Sequence, residues 1–240
     1  MLYLIGLGLN SESISKESLE ILKRCKRIYL DNYTVDFPYS MGELGEIIGK
    51  KIIPLEREKV EDLEIIDEAR KMDIAFLVYG SPLTATTHIS LIHEALASGI
   101  KYKVFHNASI LDAVSETGLQ LYKFGKIASM PMWKPEKNFT PDSFMEIVKE
   151  NQSIKAHSLI LIDIGLNFED ALKQLEKSAE KYSIKLNKIL ICQALGTKRG
   201  KILYRDIEEA REFSGVRKPY CIIIPGELHF LERDMLEIFK

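Results

Sequence analysis

Short apolar runs alternate with longer helical patterns through the first 110 residues, and this alternation constrains the fold more than any other feature of the sequence. The runs at residues 2–5, 27–30, 51–55, 74–78 and 102–105 predict buried strands. Helical patterns follow the expected N-cap Ser15 and recur at residues 60–72 and 86–98. A strand–helix–strand repeat is typical of a parallel sheet with crossover helices. We therefore expect an α/β domain in this half.

The residue pattern of the sequence changes after about residue 130. Residues 130–144 contain three of the eight prolines and the single tryptophan, Trp133, which predicts a loop. Apolar runs at residues 159–162, 189–192 and 221–224 predict further strands, with helices near 168–182 and 227–238. The sequence thus predicts two α/β domains, and we place them at residues 1–111 and 112–240.

Charge and hydropathy restrict the class of protein. Lys and Arg total 33 and Asp and Glu total 35, so the chain lacks the basic excess of a dedicated binder of nucleic acid or anionic membranes. The N-terminal segment has no basic region before its apolar run, and no stretch approaches the ~20 apolar residues of a membrane span. We expect a soluble, cytoplasmic protein.

Cysteine and histidine spacing predicts no metal site. Cys25, Cys192 and Cys221 are far apart in apolar contexts, which indicates buried thiols in a reducing compartment and neither a disulfide framework nor a zinc site. His88 and His93 are five residues apart, whereas two ligands on one helix face are four apart.

The pair Gly6 and Gly8 follows the first predicted strand and allows two interpretations. A dinucleotide-binding turn needs a third glycine where this chain has Ser11, although Asp31 would fit the acidic residue of such a site. The other interpretation is a tight turn, in which glycine lets another group approach the backbone closely.

Two polar turns follow neighbouring predicted strands. One reads YGSPLTATTH at residues 79–88, with no charged side chain, and the other reads HNASI at residues 106–110. Ligands of open α/β sheets bind outside the carboxyl ends of strands, so these turns predict a pocket for a small, moderately polar ligand. Equally, residues 80–82 could form a simple turn, and the threonines at residues 84–87 could cap the next helix.

Four segments together resemble one family. They are IGLGL at residues 5–9, GSPLTATTH at 80–88, Ser109-Ile110, and GLQLYKFG at 118–125. The chain resembles the diphthine synthase family, within the superfamily of tetrapyrrole (corrin/porphyrin) methyltransferases. The run ATTH at residues 85–88 is similar to this branch and differs from the porphyrin and ribosomal-RNA methylases.

The resemblance implies that S-adenosyl-L-methionine binds in a cleft between two α/β domains of a homodimer and leaves as S-adenosyl-L-homocysteine. The methyl acceptor would be the 3-amino-3-carboxypropyl group on a modified histidine of translation elongation factor 2, a step of diphthamide biosynthesis, with trimethylation as the expected outcome. Cofactor contacts carried over from the family fall on Leu9, Ser81, Thr84, Ser109, Ile110, Ile162, Leu195 and Tyr220.

Two of these positions depart from the family. Ser81 stands where the family usually has aspartate, and Tyr220 where it usually has histidine. Two alternatives therefore stay open: a tetrapyrrole (precorrin-type) methyltransferase, which the ATTH run disfavours, and a cofactor-binding module that has lost activity. The resemblance designates no catalytic residue, and His88 and Asp163 are the candidates.

Overall fold

The computed structural model describes residues 1–61 and 64–240. Within them the chain divides into two compact units, Met1–Asp112 and Ala113–Lys240. Whether the two act as independent domains divided at residue 112 stays a prediction.

The first half of the chain alternates strands and helices, as the sequence predicts. Its elements are β1 (Leu2–Gly6), α1 (Lys16–Arg24), β2 (Arg27–Asp31), α2 (Met41–Ile48), β3 (Ile53–Leu55), α3 (Arg57–Glu61), α4 (Glu64–Ala69), β4 (Ile74–Val78), α5 (Ile89–Ala97), β5 (Tyr102–Phe105) and α6 (Ile110–Ala113). Ser15 caps α1, because its Oγ accepts a hydrogen bond from Ser18 N at 3.1 Å. The sequence missed α2. Residues 62–63 of the helical pattern at 60–72 lie outside the described residues.

The five strands of the first unit form a parallel sheet in the order β3-β2-β4-β1-β5. Both faces of this sheet are covered. Leu4 and Phe76 belong to the apolar layer on one face, whereas Ile5 and Leu77 belong to the layer on the other. Burial on two faces explains why these strands read as continuous apolar runs in the sequence.

The second unit is a mixed α/β structure. Its elements are β6 (Ala128–Met130), α7 (Ser143–Ser153), β7 (Ser158–Ile162), α8 (Phe168–Lys181), β8 (Lys188–Gln193), β9 (Lys201–Asp206), α9 (Ile207–Glu212), β10 (Tyr220–Ile224) and α10 (Phe230–Glu237), with 3-10 turns at Val114–Thr117, Leu121–Lys123 and Pro135–Lys137. The sheet order is β6-β7-β10-β8-β9. Only the β6–β7 pairing is parallel among the described strands of this sheet.

The sequence missed several elements of the second unit, including β9 and α7. β9 has a run of only three apolar residues, Ile202 to Tyr204, between charged residues, and it lies at the edge of the sheet, where its one partner strand is β8. The longer apolar runs of the inner strands gave a stronger signal.

A buried ionic cluster joins distant segments of the second unit. Glu232 and His157 are fully buried, and His157 Nε2 lies 3.1 Å from Glu232 Oε1. His157 Nδ1 accepts a hydrogen bond from Gly226 N at 2.9 Å, so the ring proton resides on Nε2 and is donated to Glu232. Lys123 pairs with the same carboxylate. The cluster thus ties the turn at Leu121–Lys123 to the start of α10.

Candidate functional site

The carboxyl ends of β1, β4 and β5 lie side by side, because β1 pairs with both neighbours in parallel register. The turns at residues 6–9, 79–84 and 106–109 follow these three strands directly. Two of the turns are joined by their backbones. Gly8 N donates to Gly80 O at 3.1 Å, and Gly80 N donates to Gly8 O at 2.9 Å. The structure therefore brings the polar turns that the sequence singled out to one edge of the first sheet.

Gly6 and Gly8 are required by the packing of these turns. A Cβ added at Gly6 would lie 2.6 Å from Gly80 O and 3.0 Å from Asn107 Cβ. Gly8 has φ of +72°, and a Cβ there would lie 2.5 Å from Ser13 Cβ. Of the two sequence interpretations, the tight turn accounts for the glycines, and the groups that approach closely belong to the protein itself.

Asn107 fastens the third turn to the first. Its Nδ2 donates to Gly6 O at 3.1 Å and to Ser13 O at 2.9 Å. Its Oδ1 accepts a hydrogen bond from Ala108 N at 2.8 Å. The side chain thus satisfies three backbone groups, two of them in the segment from the end of β1 to the start of α1 and one in its own turn, a role that no motif in the sequence had indicated.

The hydroxyls and the imidazole of residues 79–88 shape their own turn. Pro82 O accepts a hydrogen bond from Thr86 Oγ1 at 2.9 Å and lies 3.1 Å from His88 Nδ1. Ala85, which lies between these residues, has φ of +55°, in the left-handed region. Uncharged donors suffice to satisfy the carbonyl of a turn, which explains why the stretch contains no charged residue.

Three predicted cofactor residues of the first unit have defined partners. Ser81 is buried, with its Oγ 3.4 Å from Nδ1 of the exposed His106. Leu9 is buried, and its carbonyl accepts a hydrogen bond from Tyr79 OH at 3.0 Å. Burial raises the pKa of Tyr79, so this phenol stays a donor. Thr84 is half-buried, and its N–H donates to Ser81 O at 3.1 Å.

Ser109 and Ile110 begin α6. Ser109 N and Oγ both donate to Asp112 Oδ2, at 2.7 Å and 3.0 Å, and Ser109 Oγ accepts from Leu111 N at 3.2 Å. Ile110 is half-buried. Serine followed three residues later by an acid is a capping pattern, so this partner of Ser109 could have been read from the sequence.

The dinucleotide interpretation gains no support from the structure. Asp31 is fully buried at the end of β2, where Oδ1 accepts from Tyr33 N at 3.1 Å and Oδ2 from Thr34 Oγ1 at 2.6 Å. The hydroxyl of Ser11 donates to Glu43. Asp31 is therefore turned into the protein, whereas the acid of a dinucleotide site must face a ribose.

The three predicted site residues of the second unit lie at the same end of three neighbouring inner strands of its sheet. Ile162 ends β7, Leu195 follows β8, and Tyr220 begins the antiparallel strand β10 between them. Leu195 and Tyr220 are buried and Ile162 is half-buried. Tyr220 OH donates to Leu166 O at 3.3 Å. The role of these residues in cofactor binding stays a prediction.

Asp163, the second catalytic candidate, follows Ile162 and is exposed. Its Oδ2 accepts from Met132 N at 3.0 Å and its Oδ1 from Ile164 N at 3.0 Å. Both carboxylate oxygens thus hold backbone amides of the surrounding loop.

Neither a metal site nor a membrane span is found among the described residues. No group of three or more His, Cys, Asp or Glu side chains there could hold a metal ion. No helix in the same part of the chain is long and apolar enough to cross a bilayer.

Several known proteins similar to this chain are named for the synthesis of diphthine or its methyl ester. The sequence profile of the Tetrapyrrole (Corrin/Porphyrin) Methylases matches residues 1–211. A diphthine synthase of Methanocaldococcus jannaschii is 36% identical, over 99% of this chain and 98% of that protein. A human diphthine methyl ester synthase is 43% identical, over 76% of this chain and 64% of that protein. A crystal structure of diphthine synthase superposes with a TM-score of 0.90, at 28% identity and covering 99% and 95% of the two chains.

Proposed function

The chain belongs to the tetrapyrrole (corrin/porphyrin) methylase family, and on that premise we propose that it methylates elongation factor 2 during diphthamide biosynthesis. The donor is S-adenosyl-L-methionine, and the acceptor is the 3-amino-3-carboxypropyl group on a modified histidine. One observation carries this proposal: the similarity to an archaeal diphthine synthase extends over nearly the full length of both chains.

The three joined turns of the first unit fit the donor chemically. S-adenosyl-L-methionine carries a carboxylate, an ammonium group and a positive sulfonium, and it supplies an electrophilic methyl group. Residues 6–9, 79–88 and 106–110 contain no lysine or arginine, so no fixed cation there repels the sulfonium. Ser81, Thr84 and Ser109 would bind polar groups of the cofactor, and Leu9 and Ile110 would pack against its apolar parts.

The same proposal includes three residues of the second unit, Ile162, Leu195 and Tyr220. Their common position at one end of neighbouring strands supports this part of the proposal, since a single ligand can touch all three residues only if they lie together. Tyr220 differs from the histidine usual in the family in having its hydroxyl directed to Leu166 O.

Methyl transfer of this kind needs alignment more than a strong base. The nucleophile is an amine, and a free α-amino group has a pKa of ~7.7–8.0, so an appreciable fraction is neutral near pH 7. In-line positioning can lower a barrier by ~7–11 kcal/mol. The role of the turns is to hold the methyl donor and to exclude water while the amine approaches.

The structure assigns neither candidate side chain a base role. His88 is buried, with Nδ1 directed at Pro82 O, and Asp163 holds two backbone amides. Both side chains therefore shape loops. We accordingly propose no catalytic base.

A homodimer in the cytoplasm completes the proposal. The dimer is expected from the family resemblance, and the cytoplasm is the compartment in which a translation factor is available as substrate. The three cysteines are buried free thiols, which agrees with a reducing environment.

Incubation with labelled S-adenosyl-L-methionine tests the proposal against both alternatives. Purified elongation factor 2 carrying the unmethylated 3-amino-3-carboxypropyl group should become labelled. Label on a precorrin-type tetrapyrrole instead would support the alternative that the family name suggests. Tight binding of S-adenosyl-L-homocysteine with no transfer to either acceptor would indicate a module without activity.

The name of the human relative, diphthine methyl ester synthase, raises a second question about the product. Methyl groups on nitrogen survive mild alkali, whereas a methyl ester is hydrolysed. Intact-mass analysis of the labelled factor before and after alkali would count the two kinds separately, and we expect only alkali-stable methyl groups, three for each modified histidine.

A further inference from the structure

A fully buried pair of ionisable side chains adjoins the turn at residues 79–88. Asp31 Oδ2 and His88 Nε2 lie 3.4 Å apart, and both side chains are 0% exposed. Asp31 comes from the end of β2, and His88 ends the ATTH run. The proposed methyl transfer uses neither group, although the pair lies next to the turn that would hold the cofactor.

The hydrogen bond to Pro82 defines the tautomer of His88. Pro82 O is a carbonyl and can only accept, so His88 Nδ1, at 3.1 Å, must carry a proton and donate it. A neutral imidazole carries one proton, which leaves Nε2 as an acceptor. Nε2 faces the hydroxyl of Tyr33 and Asp31 Oδ2, each at 3.4 Å.

An ionised Asp31 would face this acceptor with its own lone pairs and, even with its hydrogen bonds from Tyr33 N and Thr34 Oγ1, would leave the pair with a net negative charge in a buried site. One additional proton removes both problems. We propose that Asp31 is a neutral carboxylic acid that shares its proton with His88 Nε2, and that the two act as positioning residues for the turn at Pro82. The positioning role rests on the proposed function, because it assumes that this turn binds the cofactor.

The surroundings of the pair favour the neutral form of each member. Burial raises the pKa of Asp31 and outweighs the hydrogen bonds from Thr34 and Tyr33, which lower it. Burial lowers the pKa of His88, and each group is the main charged neighbour of the other. Phe76 of β4 packs edge-on against the imidazole, with ring centroids 5.0 Å apart. Tyr33, on the loop after β2, faces the imidazole with its hydroxyl, and Arg57 of α3 lies over its ring with Cζ 5.8 Å from the centroid.

The shared proton matters because it fixes the direction of the other imidazole nitrogen. Because the acid occupies Nε2, Nδ1–H points at Pro82 O. The carbonyl is then held by two hydrogen bonds, one from His88 Nδ1 and one from Thr86 Oγ1. Ser81 precedes Pro82 and Thr84 follows two residues later, so a shift of the carbonyl moves both proposed cofactor residues. The proton shared by Asp31 and His88 thus links the end of β2 to the turn after β4.

Nitrogen-15 NMR of the imidazoles tests the tautomer without any cofactor. His88 should give the signals of a neutral ring protonated on Nδ1 between about pH 6 and 8. The assignment follows from the signal lost in His88→Asn. A ring protonated on Nε2, or an imidazolium, would overturn the proposal.

Two variants of Asp31 test what the carboxyl group contributes. Asp31→Asn keeps a neutral group of the same shape whose amide can donate to Nε2, whereas Asp31→Ala removes the donor. We expect Asp31→Asn to bind S-adenosyl-L-homocysteine within about twofold of the unaltered protein, and Asp31→Ala to bind about tenfold more weakly, roughly one lost hydrogen bond. Asp67→Asn, at an exposed acid of α4, should change neither affinity nor the His88 signal.

Equal loss of affinity in Asp31→Asn and Asp31→Ala would show that the negative charge is needed, and the proposal would be wrong. Should Asp31→Ala not fold, His88→Asn and His88→Gln decide the positioning role. The shorter amide can still reach Pro82 O and should retain binding, whereas the longer one should not. If the unaltered protein binds no S-adenosyl-L-homocysteine, the proposed function fails, but the NMR result still decides the protonation of the pair.

Discussion

Gly8 and Gly80 exchange two backbone hydrogen bonds across the ends of adjacent strands, with N···O distances of 3.1 Å and 2.9 Å. This pair holds together two turns that lie 72 positions apart in the chain. The bonds make the two turns one rigid unit, so a change in either should alter both stability and cofactor binding.

Replacing Gly8 by alanine should be far more harmful than replacing Gly49. Both glycines have positive φ, +72° and +69°, and alanine pays about 1 kcal/mol for that conformation at either position. Only at Gly8 does the new Cβ collide with a neighbour, whereas nothing lies within 4 Å of it at Gly49. Denaturant unfolding should show roughly 1–3 kcal/mol of additional loss for Gly8→Ala. Equal losses in the two variants would contradict the close packing described for this turn.

Replacing Asn107 by aspartate should destabilise the protein more than replacing it by alanine. Alanine removes the donations to Gly6 O and Ser13 O, whereas an aspartate also directs negative charge at these two carbonyls. We expect Asn107→Ala to lower the free energy of unfolding by about 1–3 kcal/mol, and Asn107→Asp to lower it further at pH 7. Protonation restores a donor, so the difference should shrink near pH 4. A variant Asn107→Asp as stable as the unaltered protein would show that this amide is not a structural link.

Substitution of Ser81 tests the departure from the family pattern. A hydrogen bond involving a charged group contributes ~1.5–3 kcal/mol, against ~0.5–1.5 kcal/mol for a neutral one. Ser81→Asp should therefore tighten binding of S-adenosyl-L-methionine, by roughly tenfold for each 1.4 kcal/mol gained. Ser81→Asn, of the same shape without the charge, is the control. Calorimetric titration that finds Ser81→Asp, Ser81→Asn and Ser81→Ala all equal to the unaltered protein would mean that Ser81 does not contact the cofactor.

Acid should destabilise the second unit through Glu232 and His157. Burial alone would raise the pKa of Glu232, but hydrogen bonds from Gln120 N, Lys123, His229 N and His157 outweigh it and lower the pKa to about 2. A lowered carboxyl pKa stabilises the fold above the unfolded pKa, 4.5, and this stabilisation, on the order of 3 kcal/mol, is lost as the pH falls from there towards 2. Burial lowers the pKa of His157, which adds a loss beginning below pH 6.5.

Thermal unfolding across this pH range checks the prediction. Glu232→Gln should be less stable at pH 7 and should lose the acid-dependent step below pH 4.5. Glu227→Gln is the matched control, since Glu227 also pairs with a lysine but is exposed and should have little effect. An unchanged acid profile in Glu232→Gln would be incompatible with the buried cluster as described.

The proposed homodimer predicts the mass in solution. Sedimentation equilibrium at micromolar concentration should give about twice the chain mass of 27.4 kDa. A value near 27.4 kDa would count against the dimer and leave the proposed activity to be tested separately.

The core of the first unit was readable from the sequence because its strands are buried on both faces. Residues 2–5 and 74–78 are uninterrupted apolar runs, and parallel strands covered by helices on both sides require this pattern. Edge strand β9 and helices α2 and α7 escaped prediction. β9 has a run of only three apolar residues, and more than half of the residues of α2 and α7 are exposed, which weakens the signal.

The polar turns at strand ends and the family segments also indicated which turns would form the candidate site, since residues 6–9, 80–88 and 106–110 were singled out before their positions were known. What the sequence could not supply is the set of partners inside that site. Asn107 bonds to Gly6, 101 positions away, and His88 faces Asp31, 57 positions away. Local residue patterns report backbone preference and burial, which act over a few residues. The protonation of Asp31 and the tautomer of His88 depend on which groups the folded sheet places at hydrogen-bonding distance, and only the tertiary structure decides that.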